Sequence, residues 1–141
     1  MHIHYLPNFS PNYLQLKKIS KFNSKRNKIA RIYNSEISKI TDKVSIPFIP
    51  KGYTHSYQMY TITVSKQIRN KLLYYLKTNN IEASAHFDPP LHSQKYLRKY
   101  NNKNLPVTDK LSKEIITLPI FPDMTKKEIS YVIKILKKFF K

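Results

Sequence analysis

The sequence predicts a small α/β sandwich of two layers, with about three strands in one layer and flanking helices in the other. Two observations support this fold class. Segments in which apolar residues recur every three or four positions alternate with short segments rich in β-branched and aromatic residues. The chain has 141 residues, 40% of them hydrophobic, which suffices for one domain with a substantial core.

The first predicted element is a long amphipathic helix over residues 12–42. It follows an irregular segment over residues 1–11, in which Pro7 and Pro11 interrupt regular structure. From Asn12 to Thr41 the sequence contains neither proline nor glycine. The apolar residues of this stretch keep helical spacing, and they are Leu16, Ile19, Ile29, Ile32, Tyr33, Ile37 and Ile40.

A strand and a second helix follow an irregular, proline-containing segment over residues 42–56. Alternating residue types predict the strand over residues 57–64. Ser65 can cap the helix expected over residues 66–79, and Asn80 stands where helices often end in a left-handed residue. The apolar face of this helix consists of Ile68, Leu72, Leu73 and Leu76.

The remaining elements are shorter. Residues 81–87 form a predicted second strand, and residues 88–104 a loop with one helical turn near residues 94–99. A short helix over residues 106–113 and a third strand over residues 115–120 come next. Thr125 and Glu128 have the spacing of a capping box, which begins a final helix. The apolar face of that helix consists of Ile129, Val132, Ile133, Leu136 and Phe140.

The chain is strongly basic, with 26 lysines and arginines against 8 acidic residues and a formal net charge of +18. Such a balance favours anionic partners, of which nucleic acid is the commonest. However, 22 of the basic residues are lysines, and asparagine, isoleucine and tyrosine are abundant, as a genome rich in A and T would produce. Apart from a cluster at Lys137, Lys138 and Lys141, the basic residues are dispersed. We therefore expect only weak, non-specific binding of nucleic acid.

Composition excludes several kinds of site. Because Gly52 is the one glycine, the chain has no glycine-rich phosphate loop and no dinucleotide fingerprint. Without cysteine it has no disulfide, iron–sulfur cluster or cysteine nucleophile. No apolar run approaches the ~18 residues that span a bilayer, and the N-terminus lacks the pattern of a secretory signal. We therefore expect a cytoplasmic protein without a membrane partner.

Two histidines stand close together with an aspartate between them, at His86, Asp88 and His92. Dedicated metal sites need three or four converging ligands, so we predict no metal here. His86 could instead fix the end of a strand through a backbone contact. Loop residues on a rigid scaffold are disproportionately functional, which makes both histidines candidates for binding.

Four blocks of sequence follow one another in the second half of the chain. They are His86-Phe87, the segment PLHSQKY over residues 90–96, the segment LPVTDKLS over residues 105–112 and the segment LPIFPDMT over residues 118–125. In this order and spacing they resemble the C-terminal domain of the DegT/DnrJ/StrS family, pyridoxal-phosphate-dependent aminotransferases that act on nucleotide-linked keto sugars. The segments QLKKI over residues 15–19 and HSYQMY over residues 55–60 extend the resemblance upstream.

The resemblance implies the small domain of the aspartate-aminotransferase-like fold type I over residues 43–141, joined through the helix over residues 12–42 to a large domain. In the family the large domain carries the lysine that forms the Schiff base, in a segment containing serine and glycine. This sequence has no such segment. We therefore expect no catalytic residue here, no cofactor-binding residue and no binding of pyridoxal phosphate by this chain alone. We expect either a separately encoded large domain or an interrupted gene.

The resemblance also implies where substrate binds. The loop over residues 86–96 looks like the loop that faces the mouth of the active site in the family. His86, His92, Gln94 and Tyr96 are then the candidate substrate-binding residues, which would hydrogen-bond sugar hydroxyls or the nucleotide diphosphate. We expect the nucleotide sugar, from amino-sugar or surface-polysaccharide biosynthesis, to bind only when the large domain is present.

Two functions stay open. The chain is either the substrate-positioning part of an aminotransferase, or a small basic protein that binds nucleic acid or retains no function. The second has no support from a helix-turn-helix, RNP or zinc pattern. The first predicts an apolar face that the missing large domain would cover, with candidates Tyr13, Leu14, Leu16, Ile19, Phe48 and Ile49.

Overall fold

The computed structural model describes residues 11–100 and 104–141, and within these ranges all side chains except those of residues 11–14, 98 and 100. The described elements are α1 (Pro11–Ile37), β1 (Val44–Ser45), β2 (Tyr60–Val64), α2 (Lys66–Thr78), α3 (Pro106–Ser112), β3 (Ile115–Leu118) and α4 (Lys126–Phe139). Two short 3-10 helices, Leu91–Ser93 and Lys95–Tyr100, lie between α2 and α3. The predicted irregular segment over residues 1–11 lies outside the described residues, apart from Pro11, which belongs to α1.

The sheet has three antiparallel strands in the order β1-β2-β3, so β2 is central. Side chains alternate between its two faces. On one face the hydroxyls of Thr61 and Thr117 lie 3.2 Å apart. The other face is buried and apolar, and it consists of Tyr60, Ile62, Val64, Ile116 and Leu118.

The helices cover the apolar face of the sheet. α4 contacts both α1 and α2, and α2 also contacts β3. The helical part of the core consists of Ile29, Ala30, Tyr33, Ile37, Leu72, Leu76, Ile129, Val132, Ile133, Ile135 and Leu136. The structure therefore confirms a small three-stranded sheet packed against helices.

Two buried tyrosines fasten α1 to the sheet. The hydroxyl of Tyr33 donates to the backbone carbonyl of Pro119 at 3.0 Å, and the hydroxyl of Tyr60 donates to Oδ1 of Asn34 at 2.6 Å. The two rings lie 5.0 Å apart. Burial raises the pKa of both phenols, so both remain neutral hydrogen-bond donors.

The structure shortens three predicted elements. The strand predicted from residue 57 begins at Tyr60, because Tyr57 has a φ of 47°, a left-handed conformation that interrupts a strand. The helix predicted to residue 42 ends at Ile37. The chain then tightens into a turn, in which the amide of Ile40 donates to the carbonyl of Ile37 at 3.0 Å. The third predicted strand ends at Leu118, before Pro119.

The predicted second strand over residues 81–87 is wrong. Ser84 alone pairs with Thr117, through two backbone hydrogen bonds of 3.1 and 2.8 Å. Asn80 and Phe87, on either side, have φ values of 57° and 60°, so the backbone turns away at both ends. Asn80 thereby confirms the predicted left-handed end of α2. The third strand of the sheet is instead β1, which lies within the segment over residues 42–56 that was predicted to be irregular.

Candidate substrate-binding site

The four candidate residues follow the bridge at Ser84, and the last of them, Tyr96, belongs to the second 3-10 helix. The chain leaves the sheet edge, passes a cis peptide bond between Asp88 and Pro89, and enters the 3-10 helix Leu91–Ser93. We call residues 86–96 the candidate loop. In the sequence, the candidate loop follows α2 and precedes α3.

His92 is the candidate that the structure ties to another element. Its Nε2 lies 2.9 Å from Oδ1 of Asp109, in the first turn of α3. The side chain of His92 is 16% exposed and that of Asp109 is 44% exposed, so the imidazole lies at the protein surface but is partly covered. Asp109 fixes the orientation of the ring. Within the described residues the second ring nitrogen, Nδ1, makes no hydrogen bond.

A shallow, mainly apolar groove of about 460 Å³ adjoins His92. Leu91, His92, Leu97, Leu105 and Thr108 line this groove. Large apolar side chains are exposed in the same part of the chain, namely Phe87, Tyr96 and Val107. Exposed apolar surface beside a few oriented polar groups is typical of a binding site, for a ligand or for a protein partner.

Arg69 of α2 supports the candidate loop from the protein interior. Its guanidinium pairs with the carboxylate of Asp88 and donates to the backbone carbonyls of Lys113, at 3.1 Å, and Ser112, at 3.3 Å. Arg69 is 7% exposed, whereas the side chain of Asp88 is 34% exposed. One buried side chain thus joins α2, the candidate loop and the end of α3. Together with the pair at Asp109, it holds the loop against α3 at two points.

The other three candidates lie outside this network. His86 is exposed, and its Nε2 lies 3.0 Å from Oγ of Ser84, beside the bridge to β3. Gln94 is exposed between the two 3-10 helices, and Tyr96 is 89% exposed. Among the described residues, therefore, only His92 of the four candidates is hydrogen-bonded through its side chain to a distant element. The roles of all four in binding substrate stay predictions.

Two supporting residues were missing from the predicted site. Arg69 precedes Leu72 and Leu76 by three and seven positions, so helical periodicity places it on the buried face of α2. A charged residue in phase with a buried face is rarely tolerated without a partner, and this pattern could have identified it. Asp109 lies in one of the four segments that resemble the family, the segment over residues 105–112. Its contact with His92 spans 17 residues, which no local pattern predicts.

The described residues do not fit a covalent pyridoxal phosphate site. A lysine that forms a Schiff base is activated by a desolvated setting, or by another cationic group nearby. The buried polar side chains in the described ranges are Arg69, Ser112 and Thr117, and none is a lysine. The same ranges contain no group of three His, Cys, Asp or Glu residues placed to hold a metal ion. No helix in them is sufficiently long and apolar to cross a membrane.

The known proteins that this chain resembles include two relatives that match nearly the same share of it. The chain is 33% identical over 131 residues to an uncharacterised protein of Methanocaldococcus jannaschii, covering 88% of this chain and 33% of that protein. It is 24% identical over 126 residues to dTDP-3-amino-3,6-dideoxy-alpha-D-galactopyranose transaminase of Aneurinibacillus thermoaerophilus, covering 89% of this chain and 34% of the relative. The chain thus spans about a third of the length of both relatives.

A solved structure shares the fold. The DegT DnrJ EryC1 StrS aminotransferase of Brucella abortus superimposes with a TM-score of 0.80 and 25% sequence identity, over 90% of this chain and 33% of that one. The model of the DegT/DnrJ/EryC1/StrS aminotransferase family matches residues 12–137, which include α1, the candidate loop and most of α4. The chain therefore belongs to the DegT/DnrJ/EryC1/StrS aminotransferase family.

Proposed function

We propose that this chain is the substrate-positioning small domain of an aminotransferase that acts on a nucleotide-linked keto sugar, and that a separate chain carries the large domain. The observation that supports the proposal best is the extent of the match: nearly the whole chain corresponds to about one third of full-length aminotransferases. The named relative is a transaminase of a dTDP-linked amino sugar, which supports a nucleotide sugar as the class of substrate.

In this proposal His92 binds the substrate and Asp109 positions His92. The imidazole hydrogen-bonds a sugar hydroxyl or a diphosphate oxygen, while the neighbouring groove receives a less polar part of the substrate. Pyridoxal phosphate, bound by the large domain, supplies the electron sink for amino transfer. The contribution of the present chain is orientation and the exclusion of water, which lower the barrier without a catalytic group of its own.

Exposed apolar side chains on α1 support the proposal that a large domain binds this chain. Leu16 is 63% exposed and Ile19 is 47% exposed, and Phe48 beyond β1 is 85% exposed. Ile49, predicted to belong to this surface, instead packs against the core. The side chains of Tyr13 and Leu14 lie outside the described residues. We call Leu16 and Ile19 the α1 patch, and propose that the large domain covers it.

The test is co-purification of the two domains. The chain is co-expressed with an affinity-tagged large domain of this family from the same genome, and the amount of untagged chain retained is measured. We expect equimolar retention of the natural chain and at least a tenfold loss for the double variant Leu16→Glu, Ile19→Glu, since both substitutions place charge in an apolar contact.

The matched control is Ser24→Glu, Ser35→Glu, which makes the same change of net charge at two exposed positions of the same helix. Its retention should equal that of the natural chain. Failure of the natural chain to bind the large domain would contradict the proposal. Equal retention of both double variants would show that the α1 patch is not the contact.

A further inference from the structure

A second groove, between α1 and α4, shares no lining residue with the candidate site. Its volume is about 620 Å³. Ile32 and Glu36 of α1 form one wall, and the lysines at positions 134, 137, 138 and 141 follow one another along the other. We call this the α1–α4 groove. It includes the one lysine cluster that stands out from the dispersed basic residues of the sequence.

The charge of the α1–α4 groove is only partly neutralised. Glu36 accepts hydrogen bonds from Lys39 at 2.8 Å and from Lys137 at 3.0 Å, and these bonds lower its pKa to about 2. Within the described residues, Lys134, Lys138 and Lys141 form no ion pair. The C-terminal dipole of α4 favours lysines in the last turn, but Lys134 precedes that turn.

The lining of the α1–α4 groove includes two apolar side chains. Ile32 is 41% exposed there, beside the buried Ile133. None of the described residues that line the groove is an arginine, so they offer no bidentate fork of the kind that favours phosphate groups. A phosphate backbone would meet the lysines and leave Ile32 uncovered. A polypeptide that carries both carboxylates and an apolar side chain would pair its carboxylates with the lysines and pack its apolar side chain against Ile32.

We propose that the α1–α4 groove binds an acidic segment of another protein, with an apolar side chain against Ile32 and carboxylates beside Lys134 and Lys138. A second copy of this chain lacks such a segment. Its eight acidic residues are scattered, with no two of them within four positions of each other. This proposal is independent of the aminotransferase role, because the two grooves use different residues.

The test measures the fluorescence anisotropy of a labelled, glutamate-rich peptide with two leucines one helical turn apart, titrated with the full chain at low and at physiological salt. We expect saturable binding that weakens as salt rises. The double variant Lys134→Glu, Lys138→Glu should bind about tenfold more weakly, because two attractive contacts become repulsive. Ile32→Ala should weaken binding about threefold, through lost apolar contact.

The matched control is Lys66→Glu, Lys71→Glu, which makes the same change of net charge at exposed positions of α2 and should bind as the natural chain does. A peptide with serine in place of leucine should bind more weakly. Equal loss in both double variants would overturn the proposal, because net charge alone would then explain the binding. Tighter binding of a single-stranded oligonucleotide than of the peptide, lost in the Lys134→Glu, Lys138→Glu variant, would assign the groove to nucleic acid instead.

Discussion

Arg69 is the residue on which the geometry of the candidate loop depends. Its guanidinium is buried, and its partners belong to segments far apart in sequence, at Asp88, Ser112 and Lys113. Buried charges are tolerated when they are paired and hydrogen-bonded. Removing one member leaves the remaining groups without a partner, which costs more free energy than the pair itself contributes.

We predict that Arg69→Met lowers the free energy of unfolding by about 3 kcal/mol, because Asp88 and two backbone carbonyls lose their donor. Urea unfolding followed by circular dichroism measures this. Lys71→Met, at an exposed position of the same helix, is the control and should change stability by less than about 0.5 kcal/mol. Equal midpoints for the two variants would show that the Arg69 network does not hold the loop.

We predict that the loss of the His92 side chain affects turnover rather than folding. In the complex with the large domain, His92→Ala should lower kcat/KM about tenfold to a hundredfold, since a substrate contact near the reacting centre is lost. The unfolding midpoint should barely move, because a hydrogen bond to a side chain as exposed as that of Asp109 contributes little.

His86→Ala is the comparison for this prediction. His86 is exposed, and the contacts of its side chain within the described residues are with its sequence neighbours Ser84 and Phe87, so its loss should have the smaller effect on turnover. Asp109→Asn should lie between the two, because it weakens the support of His92 and leaves the imidazole in place. Full activity of His92→Ala would remove His92 from the substrate site.

Among the helices, α4 has the clearest local signal for where it begins. The hydroxyl of Thr125 accepts from the amide of Glu128 at 3.2 Å, and Oε2 of Glu128 accepts from the amide of Thr125 at 2.7 Å. This confirms the predicted capping box. The hydrogen bonds from Thr125 lower the pKa of Glu128, so the box is complete at neutral pH.

Thr125→Ala should therefore lower the free energy of unfolding by about 1 kcal/mol at neutral pH. Because the pKa of Glu128 is lower in the folded state, its stabilising effect is present above its ordinary value of 4.5 and is lost as pH falls through the lowered value. The difference between the natural chain and Thr125→Ala should therefore shrink in acid.

Ser130→Ala, at an exposed interior position of α4, is the control and should be neutral or slightly stabilising at every pH. Urea unfolding at neutral and at acid pH compares the three proteins. A loss for Thr125→Ala that stays constant with pH would contradict the role of the Glu128 carboxylate.

Helices and strands were predicted correctly where the sequence pattern that indicates them is local. The helices, the left-handed Asn80 and the capping box depend on residues a few positions apart, and these predictions are confirmed. β1 depends on pairing with β2 across an irregular segment, so no local pattern indicates it. The strand predicted over residues 81–87 has suitable residue types but only one paired residue, Ser84, because the backbone turns at Asn80 and Phe87.

The same distinction applies to the candidate site. His92 lies in one of the four segments that resemble the family and was predicted as a candidate substrate-binding residue. The side chains that orient it and its loop lie on other elements. The pair with Asp109 spans 17 residues, and the pair between Arg69 and Asp88 spans 19. A local sequence pattern can therefore identify a candidate functional residue. It does not identify the distant residues that orient its side chain, because only the fold brings these together.

The described part of the chain combines a buried core with exposed apolar surfaces. Its sheet and three of its helices bury a continuous apolar cluster, while the candidate loop and the α1 patch expose apolar side chains. No lysine is buried in the described ranges. The chain spans about one third of the length of its relatives, and these exposed surfaces support the proposal that it works together with a large domain.

Reconstitution of amino transfer tests this account. The large domain is assayed with pyridoxal phosphate, glutamate and a nucleotide-linked keto sugar, with and without the present chain. The account predicts no turnover by either component alone and turnover that saturates at one equivalent of added chain. Equal turnover by the large domain without the chain, or no turnover by a stable complex of the two, would contradict it.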